Sequence, residues 1–299
     1  MRKSTTKSYT SCQNRFLRFC QYLRISAIPT SEKTLLTFTA YLYKRGLTPS
    51  AVNSYLCAIR NLNIINGYSV PEVRSPRIRL ALKAILRKSA SPSKKLPLTY
   101  DKLCTLWPLV TQYKDSLMWK ALLSLAFFAG LRCAEYTPSA ECPSGPRIEQ
   151  VTFSRDSKSV KYKVKKSKTK TFGFQCDLAC SGQEICAFCN MIDYLKARNR
   201  SKSVTGSSQL FVSSSKVVTS KQVNRFIKST VHSLGWQSSN YSAHSIRAGA
   251  ASTAARAGFQ DWELKCLGGW TSSAYMSYIR DNAHHRAQFP RRMVRGTAN

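Results

Sequence analysis

Apolar residues in the first third of the chain recur at helical spacing, with stop signals between the runs. Phe16, Leu17, Phe19, Cys20 and Leu23 make one stripe within a predicted helix from Asn14 to Leu23. Thr30-Ser31-Glu32 offers a cap ahead of Leu35, Phe38 and Leu42, and Gly46 stops that helix. Thr48 before Pro49 is a further start signal, since proline fits the first helical turn. Val52, Tyr55, Leu56, Ile59 and Leu62 then share a face that Gly67 ends. From Pro76, Leu80, Leu82, Ile85 and Leu86 are set against Arg79, Lys83, Arg87 and Lys88. Four amphipathic helices with basic outer faces predict a compact all-α module over residues 1–90. The Ser/Pro/Lys stretch from Ser89 to Pro97 has no periodicity, so 91–98 is expected to be a linker and 99–299 a second domain.

The second domain reads as mixed. Thr99 to Leu106 and Lys114 to Gly130 are predicted helices, the latter apolar all round and therefore buried. Ile148 to Phe153, Val160 to Val164 and Thr171 to Gln175 are short strand-like runs between polar turns. Helices are expected again at Glu184 to Ala197, Ser220 to Leu234, His244 to Gly258 and beyond Asp261. The fold class is thus mostly α with a small antiparallel β-sheet, in two domains.

Charge sharpens this picture. Lys and Arg number 47 against 14 Asp and Glu, a formal net charge of +33, spread along nearly the whole chain. A solubilising surface would mix both signs; so one-sided a balance predicts a long nucleic-acid footprint. The 43% hydrophobic content is enough for real cores. No apolar run reaches membrane-spanning length, and the polar, basic start from Met1 to Lys7 does not read as a secretory signal. Eleven Cys without such a signal imply reduced thiols in the cytosol or nucleus.

Three separated segments carry candidate chemistry. The first is Phe127-Phe128-Ala-Gly-Leu-Arg132-Cys-Ala-Glu135, where a guanidinium follows an apolar helix and Gly130 and so emerges from a rigid base. In the second, His244-Ser-Ile-Arg247, imidazole and guanidinium share one helical face. Side by side they serve one phosphate, the first handling a proton and the second neutralising charge. The small residues Ala248, Gly249, Ala250 and Ala251 after them allow another backbone to approach closely. In the third, Gly268-Gly269 turns the chain before Trp270, and Tyr278 follows within an expected aromatic helix.

Together these segments resemble the catalytic boxes of the tyrosine recombinases, the family of Cre, Flp, Xer proteins and phage integrases. His244 to Arg247 is similar to the family's His-x-x-Arg box, and Gly-Leu-Arg132-x-x-Glu135 to its first arginine box. Gly-Gly-Trp270 followed by Tyr278-Ile-Arg280 resembles the Cre-like variant in which tryptophan replaces a second histidine, although the Trp270–Tyr278 spacing is one residue shorter. The strings around Arg132 and His244 look closer still to eukaryotic mobile-element recombinases of the Crypton and DIRS type. The resemblance spans roughly residues 10–292, weakly in the helical third and strongly in the boxes.

What it implies is a C-shaped clamp on double-stranded DNA, an N-terminal core-binding bundle and a catalytic domain. Tyr278 would attack a backbone phosphate to give a 3′-phosphotyrosyl link and a free 5′-hydroxyl. Arg132 and Arg247 would hold the non-bridging oxygens, His244 would take the phenolic proton, and Trp270 would donate its indole N–H. Glu135 would brace the site. The family's hairpin lysine, the acid for the leaving oxygen, would be Lys168, with Lys170 as the alternative. No cofactor or metal is implied, and strand exchange would take place in a homo-tetramer on two DNA sites, with residues 281–299 docked into a neighbour. A nuclear mobile-element recombinase is the expectation. An inactive DNA-binding descendant and a type IB topoisomerase-like enzyme are its rivals.

Taken singly, these residues have blander readings. Arg132 alone would be a surface cation, His244 structural, Trp270 packing, and Tyr275 competes with Tyr278. The Lys161 to Lys170 cluster alone is an ordinary phosphate-binding patch. Cys176, Cys180, Cys186 and Cys189 tempt a zinc assignment, but only the last pair has knuckle spacing, and their contexts equally suit buried thiols.

Overall fold

A computed structural model describes residues 3–69, 71–88, 95–167, 172–199 and 204–279. The chain divides into two compact units, 1–92 and 93–299. Among the described residues no helix is long and apolar enough to cross a membrane.

The first unit is four helices: α1 (Lys3–Leu23), α2 (Glu32–Lys44), α3 (Pro49–Ile65) and α4 (Pro76–Lys88). The Ser31 hydroxyl caps α2 by accepting from Thr34 N at 3.1 Å, and Thr48 caps α3 by accepting from Ala51 N at 3.3 Å. Phe16, Leu35, Phe38, Leu42, Val52, Leu56 and Ile59 make the core. α1 begins well before Asn14, where its residues are too polar for periodicity to reveal a helix. On α4 the core residues are Ile78 and Ile85, with Leu82 partly buried between them, whereas Leu80 and Leu86 are exposed. The 78/82/85 spacing follows one helical face; Leu80 lies two residues, roughly 200°, round from it. Buried Asn63 joins two parts of the unit. Its side chain accepts from Thr30 N at 2.9 Å and donates to Thr30 Oγ1 at 2.7 Å and to the Ile59 carbonyl at 3.0 Å.

In the second unit, α5 (Tyr100–Thr111) and α6 (Ser116–Phe128) lead to the short α7 (Cys133–Tyr136). A three-stranded antiparallel sheet follows, β1 (Val151–Ser154), β2 (Ser159–Val164) and β3 (Phe174–Ala179), in the order β1-β2-β3. Then come α8 (Ala187–Arg198), the two-residue strands β4 (Val212–Ser213) and β5 (Lys216–Val217), α9 (Ser220–Ser233), α10 (Ala243–Arg256) and α11 (Asp261–Leu267). The fold is mostly helical with small antiparallel sheets. α6 is buried all round and packs against α8 and α10.

Several boundaries differ from expectation. α5 runs through Pro108 to Thr111 because Trp107 and Val110 are buried and hold that turn. Residues 148–150 form a 3-10 turn, and the strand begins only at Val151. β3 extends to Ala179, pairing Leu178 with Val160 and Cys176 with Tyr162. Residues 95–98, within the expected linker, are built into the second unit: Leu96 N donates to Asn240 O at 2.7 Å and Leu98 N to Ser245 O at 2.8 Å. Lys168, Lys170, Arg280 and 281–299 lie outside the described residues, as do 91–94 of that linker.

Replacing Asn63 by Ala strands the Thr30 N–H without a partner inside the first unit. The expected cost is about 1–3 kcal/mol of that unit's stability, to be read as an earlier urea midpoint at unchanged slope for the Asn63→Ala chain.

Candidate active site

The three chemistry-bearing segments meet at Gly130. α6 ends at Phe128, and Gly130 takes a left-handed backbone (φ +53°) that sends the chain back. A Cβ there would lie 3.3 Å from Gly268 Cα, so the first and third segments touch backbone to backbone. The Gly130 carbonyl accepts a hydrogen bond from Nη1 of Arg247, which brings in the second segment.

Arg132 starts α7 and is fixed at both ends by one carboxylate. Glu135 Oε2 accepts from the Arg132 backbone N–H at 2.7 Å and Oε1 from its Nη1 at 2.9 Å. Glu135 is nearly buried while the Arg132 side chain keeps some exposure, so the carboxylate is structural and the guanidinium faces outward. The Glu135 carbonyl accepts from the hydroxyl of buried Tyr162, which ties the turn to β2.

Arg247 on α10 has a relative exposure of 0%. Its guanidinium carbon sits 4.0 Å from the Trp270 ring centroid and 6.0 Å from that of Tyr278. Among the described residues its Nε and Nη2 have no hydrogen-bond partner, and neither does the indole Nε1 of Trp270. Burial, and then the charge of Arg132, push the Arg247 pKa down to about 10, against the opposing pull of Glu135 and Tyr278. A desolvated cation over an aromatic face gains about 2 kcal/mol. Taking a guanidinium out of water costs several. The arrangement is therefore short of an anion.

His244, one turn earlier on α10, is solvent-exposed at its outer side but packed by protein on the other. That packing, then the charges of Arg247 and Arg132, hold its pKa below the ordinary histidine value. Its ring centroid is 4.9 Å from that of Tyr278, edge to face, and Tyr278 is 6.0 Å from Trp270. Tyr278 does not lie within a helix. It ends a 3-10 turn over Ser273–Ser277, because Tyr275 and the Ser252 contact pull this stretch down onto α10 and α11. The Tyr278 carbonyl accepts from Ser252 Oγ at 2.9 Å, leaving the side chain part-exposed beside His244. Tyr275 is buried and its hydroxyl donates to Asp261, so the neighbouring phenol is already committed.

Arg132, His244, Arg247, Trp270 and Tyr278 thus form one cluster of cationic and donor groups with a phenol at its edge. The hairpin that would carry Lys168 or Lys170 is described only at its stems, where Lys165 pairs with Glu149 at 2.6 Å. Two supports were not singled out from the sequence. Ser252 directly follows the small residues after Arg247, but a serine after a run of alanines gives no sign of a tertiary bond. The expected linker 91–98 includes the strap residues 95–98 because their Pro and Lys content masks Leu98, which is fully buried. Gly249 shows why small residues follow Arg247: a Cβ there would meet the Leu98 carbonyl oxygen at 1.7 Å.

No family model and no curated protein matches the sequence. Solved structures do. An integrase of the transposon Tn1549, in complex with transposon right-end DNA, is 12% identical, with a TM-score of 0.66 over 97% of this chain and 93% of that one. XerA recombinase is 16% identical, with a TM-score of 0.52 over 98% and 92%. A lambda integrase dimer bound to a core site is 15% identical, with a TM-score of 0.59 over 95% and 73%. The fold is that of the tyrosine recombinases and integrases.

Gly249→Ala drives a methyl group into the strap that closes α10. Overpacking of this kind costs about 1–3 kcal/mol, so thermal unfolding of the Gly249→Ala chain is expected several degrees below wild type.

Proposed function

We propose that this chain is a DNA strand transferase, a site-specific recombinase of a mobile element, that cuts and rejoins DNA through Tyr278. The observation that carries the reading is the buried Arg247 guanidinium, whose Nε and Nη2 lack a hydrogen-bond partner among the described residues, beside the likewise unpartnered indole N–H of Trp270 and the part-exposed Tyr278 phenol. Unsatisfied buried donors of a cation are costly, and a phosphodiester supplies the missing acceptors and charge together. The net charge of +33 fits a polyanionic partner. In the first unit, a groove lined by Arg15, Arg18 and Arg45 with Tyr22, Tyr41 and Tyr55 is suited to following a nucleic-acid backbone.

In this mechanism the Tyr278 oxygen attacks phosphorus while the bond to the 5′-oxygen breaks, giving a 3′-phosphotyrosyl link and a 5′-hydroxyl. Arg132 and Arg247 stabilise the charge of the pentacoordinate transition state. His244, whose pKa is held below the ordinary histidine value by burial and then by the charges of Arg247 and Arg132, accepts the phenolic proton. The leaving oxygen takes its proton from Lys168 or, as the alternative, Lys170. Attack by another strand's 5′-hydroxyl reverses the step, and the covalent link conserves the phosphodiester energy. The finer reading is a eukaryotic element of Crypton or DIRS type, acting in the nucleus as a homo-tetramer on two DNA sites. The Crypton/DIRS part rests on the boxes around Arg132 and His244.

Nicked suicide duplexes built from the ends of the encoding element test the reading. Wild type and Tyr275→Phe are expected to form a covalent protein–DNA adduct on a denaturing gel and to join strands, and Tyr278→Phe to form none. Arg247→Ala should slow adduct formation by a factor on the order of 10² or more. Adduct from Tyr278→Phe sinks the assignment; relaxation of a supercoiled plasmid without joining to a new strand favours a topoisomerase, and neither activity favours an inactive DNA binder.

The pH profile follows from His244. Its acceptor form is lost on protonation, so the adduct rate should rise with pH and level off at or below about 6.5, the ordinary histidine value. His244→Asn should lower the plateau and remove that limb.

A further inference from the structure

Three of the four cysteines in the Cys176–Cys189 string come together where β3 gives way to α8. Cys180 follows the last residue of β3, and its N–H donates to Lys158 O at 2.8 Å, closing the hairpin end. The chain turns at Gly182 (φ +68°), shaped by Ser181, whose hydroxyl donates to Ile185 O at 3.3 Å and accepts from Gln183 N at 3.4 Å. Cys186 is then the N-cap of α8 and Cys189 lies in its first turn. The Cys180 sulfur is 3.6 Å from that of Cys189 and 3.7 Å from that of Cys186, and all three lie within 4.8 Å of one another. Cys176 is not among them; it points into the core of the second unit.

We propose that Cys180, Cys186 and Cys189 bind one zinc ion as three thiolates, with water in the fourth position. Tetrahedral zinc with bonds of about 2.3 Å places its sulfurs ~3.8 Å apart, close to the observed 3.6 and 3.7 Å. A disulfide would need about 2.05 Å. The Cys189 N–H points at Cys186 Sγ at 3.5 Å, the backbone-to-sulfur contact that favours a thiolate in a Cys-x-x-Cys turn. What sets these thiols apart is the convergence of three sulfurs, since Cys186 is buried like the core cysteines and Cys104 and Cys266 elsewhere are exposed. Cys12, Cys20 and Cys176 are buried as small apolar residues, whereas Cys189 is exposed and Cys180 half-buried, where packing has no use for a thiol. Among the described residues no His, Asp or Glu joins the three, so the fourth vertex is open. The turn's own hydrogen bonds aim the thiols before metal arrives. Bound zinc would join the end of β3 to the start of α8, the helix that packs on α6.

Full-length protein, purified under reducing conditions and reconstituted with Zn2+, is expected to hold one zinc per chain by elemental analysis. Reconstitution with Co2+ should give the thiolate-to-cobalt charge-transfer band. Cys189→Ser, at an exposed position, should weaken zinc binding at least ~10-fold, and the triple Cys180→Ser/Cys186→Ser/Cys189→Ser variant should abolish both signals. Cys104→Ser and Cys266→Ser, also exposed, should leave both unchanged. Wild-type zinc content equal to that of Cys189→Ser, a cobalt spectrum without thiolate bands, loss of metal in the Cys104 and Cys266 variants, or a Cys180–Cys189 disulfide under reductant would each overturn the assignment. Should the triple variant fail to fold, the Cys189→Ser comparison decides.

Discussion

A positive charge buried with no carboxylate bonded to it among the described residues is the constraint around which the second unit is arranged. Arg247 lies on α10, its Nη1 held by the Gly130 carbonyl and its face covered by Trp270. Neither contact supplies negative charge, and Glu135, which could, is engaged with Arg132 through both oxygens. Had Glu135 turned to Arg247, the pair would be neutral and the site closed. Instead the carboxylate fixes the outer arginine and leaves the inner one unmatched. That division of labour lowers stability locally and leaves the site poised for an anionic group.

Holding such an arrangement requires rigidity, which comes from backbone contacts at small residues. Gly130 meets Gly268, and Gly249 meets the Leu98 carbonyl, so α6, α10 and the turn before Trp270 approach more closely than side chains would allow. Ser252 then fixes the Tyr278 carbonyl to the same face of α10 that carries Ala248 and Gly249. One helix therefore positions the inner cation, the imidazole and the strand of chain bearing the phenol. Small errors in its seating would move all three together, not one against another.

Much of this was legible in the sequence for specific physical reasons. Ser31 and Thr48 announced helix starts because their hydroxyls cap, and α6 announced burial because it has no polar face. The first and third boxes drew notice through glycines next to polar residues, which is where backbones cross. What was missed depends on long-range partners. The polar start of α1 carries no stripe, and the 95–98 strap is stabilised by hydrogen bonds to Asn240 and Ser245, far along the chain. Tyr278 was expected inside a helix since aromatic spacing suggested one; a 3-10 turn took its place because Tyr275 is anchored to Asp261 and the Tyr278 carbonyl to Ser252.

The two phenols of the last segment show how tertiary context assigns roles that composition cannot. Tyr275 and Tyr278 are three residues apart and chemically identical. One is buried with its hydroxyl spent on Asp261; the other is part-exposed, edge to face with His244 and near Arg247. A hydroxyl already donating to a carboxylate would have to surrender that bond before reacting, and its ring would have to leave the small core formed with Leu264 and Trp270. Tyr278 packs only at the edge of that core, and among the described residues no carboxylate holds its hydroxyl. The choice between them is thus made by what each side chain would have to give up, and only the fold reveals that.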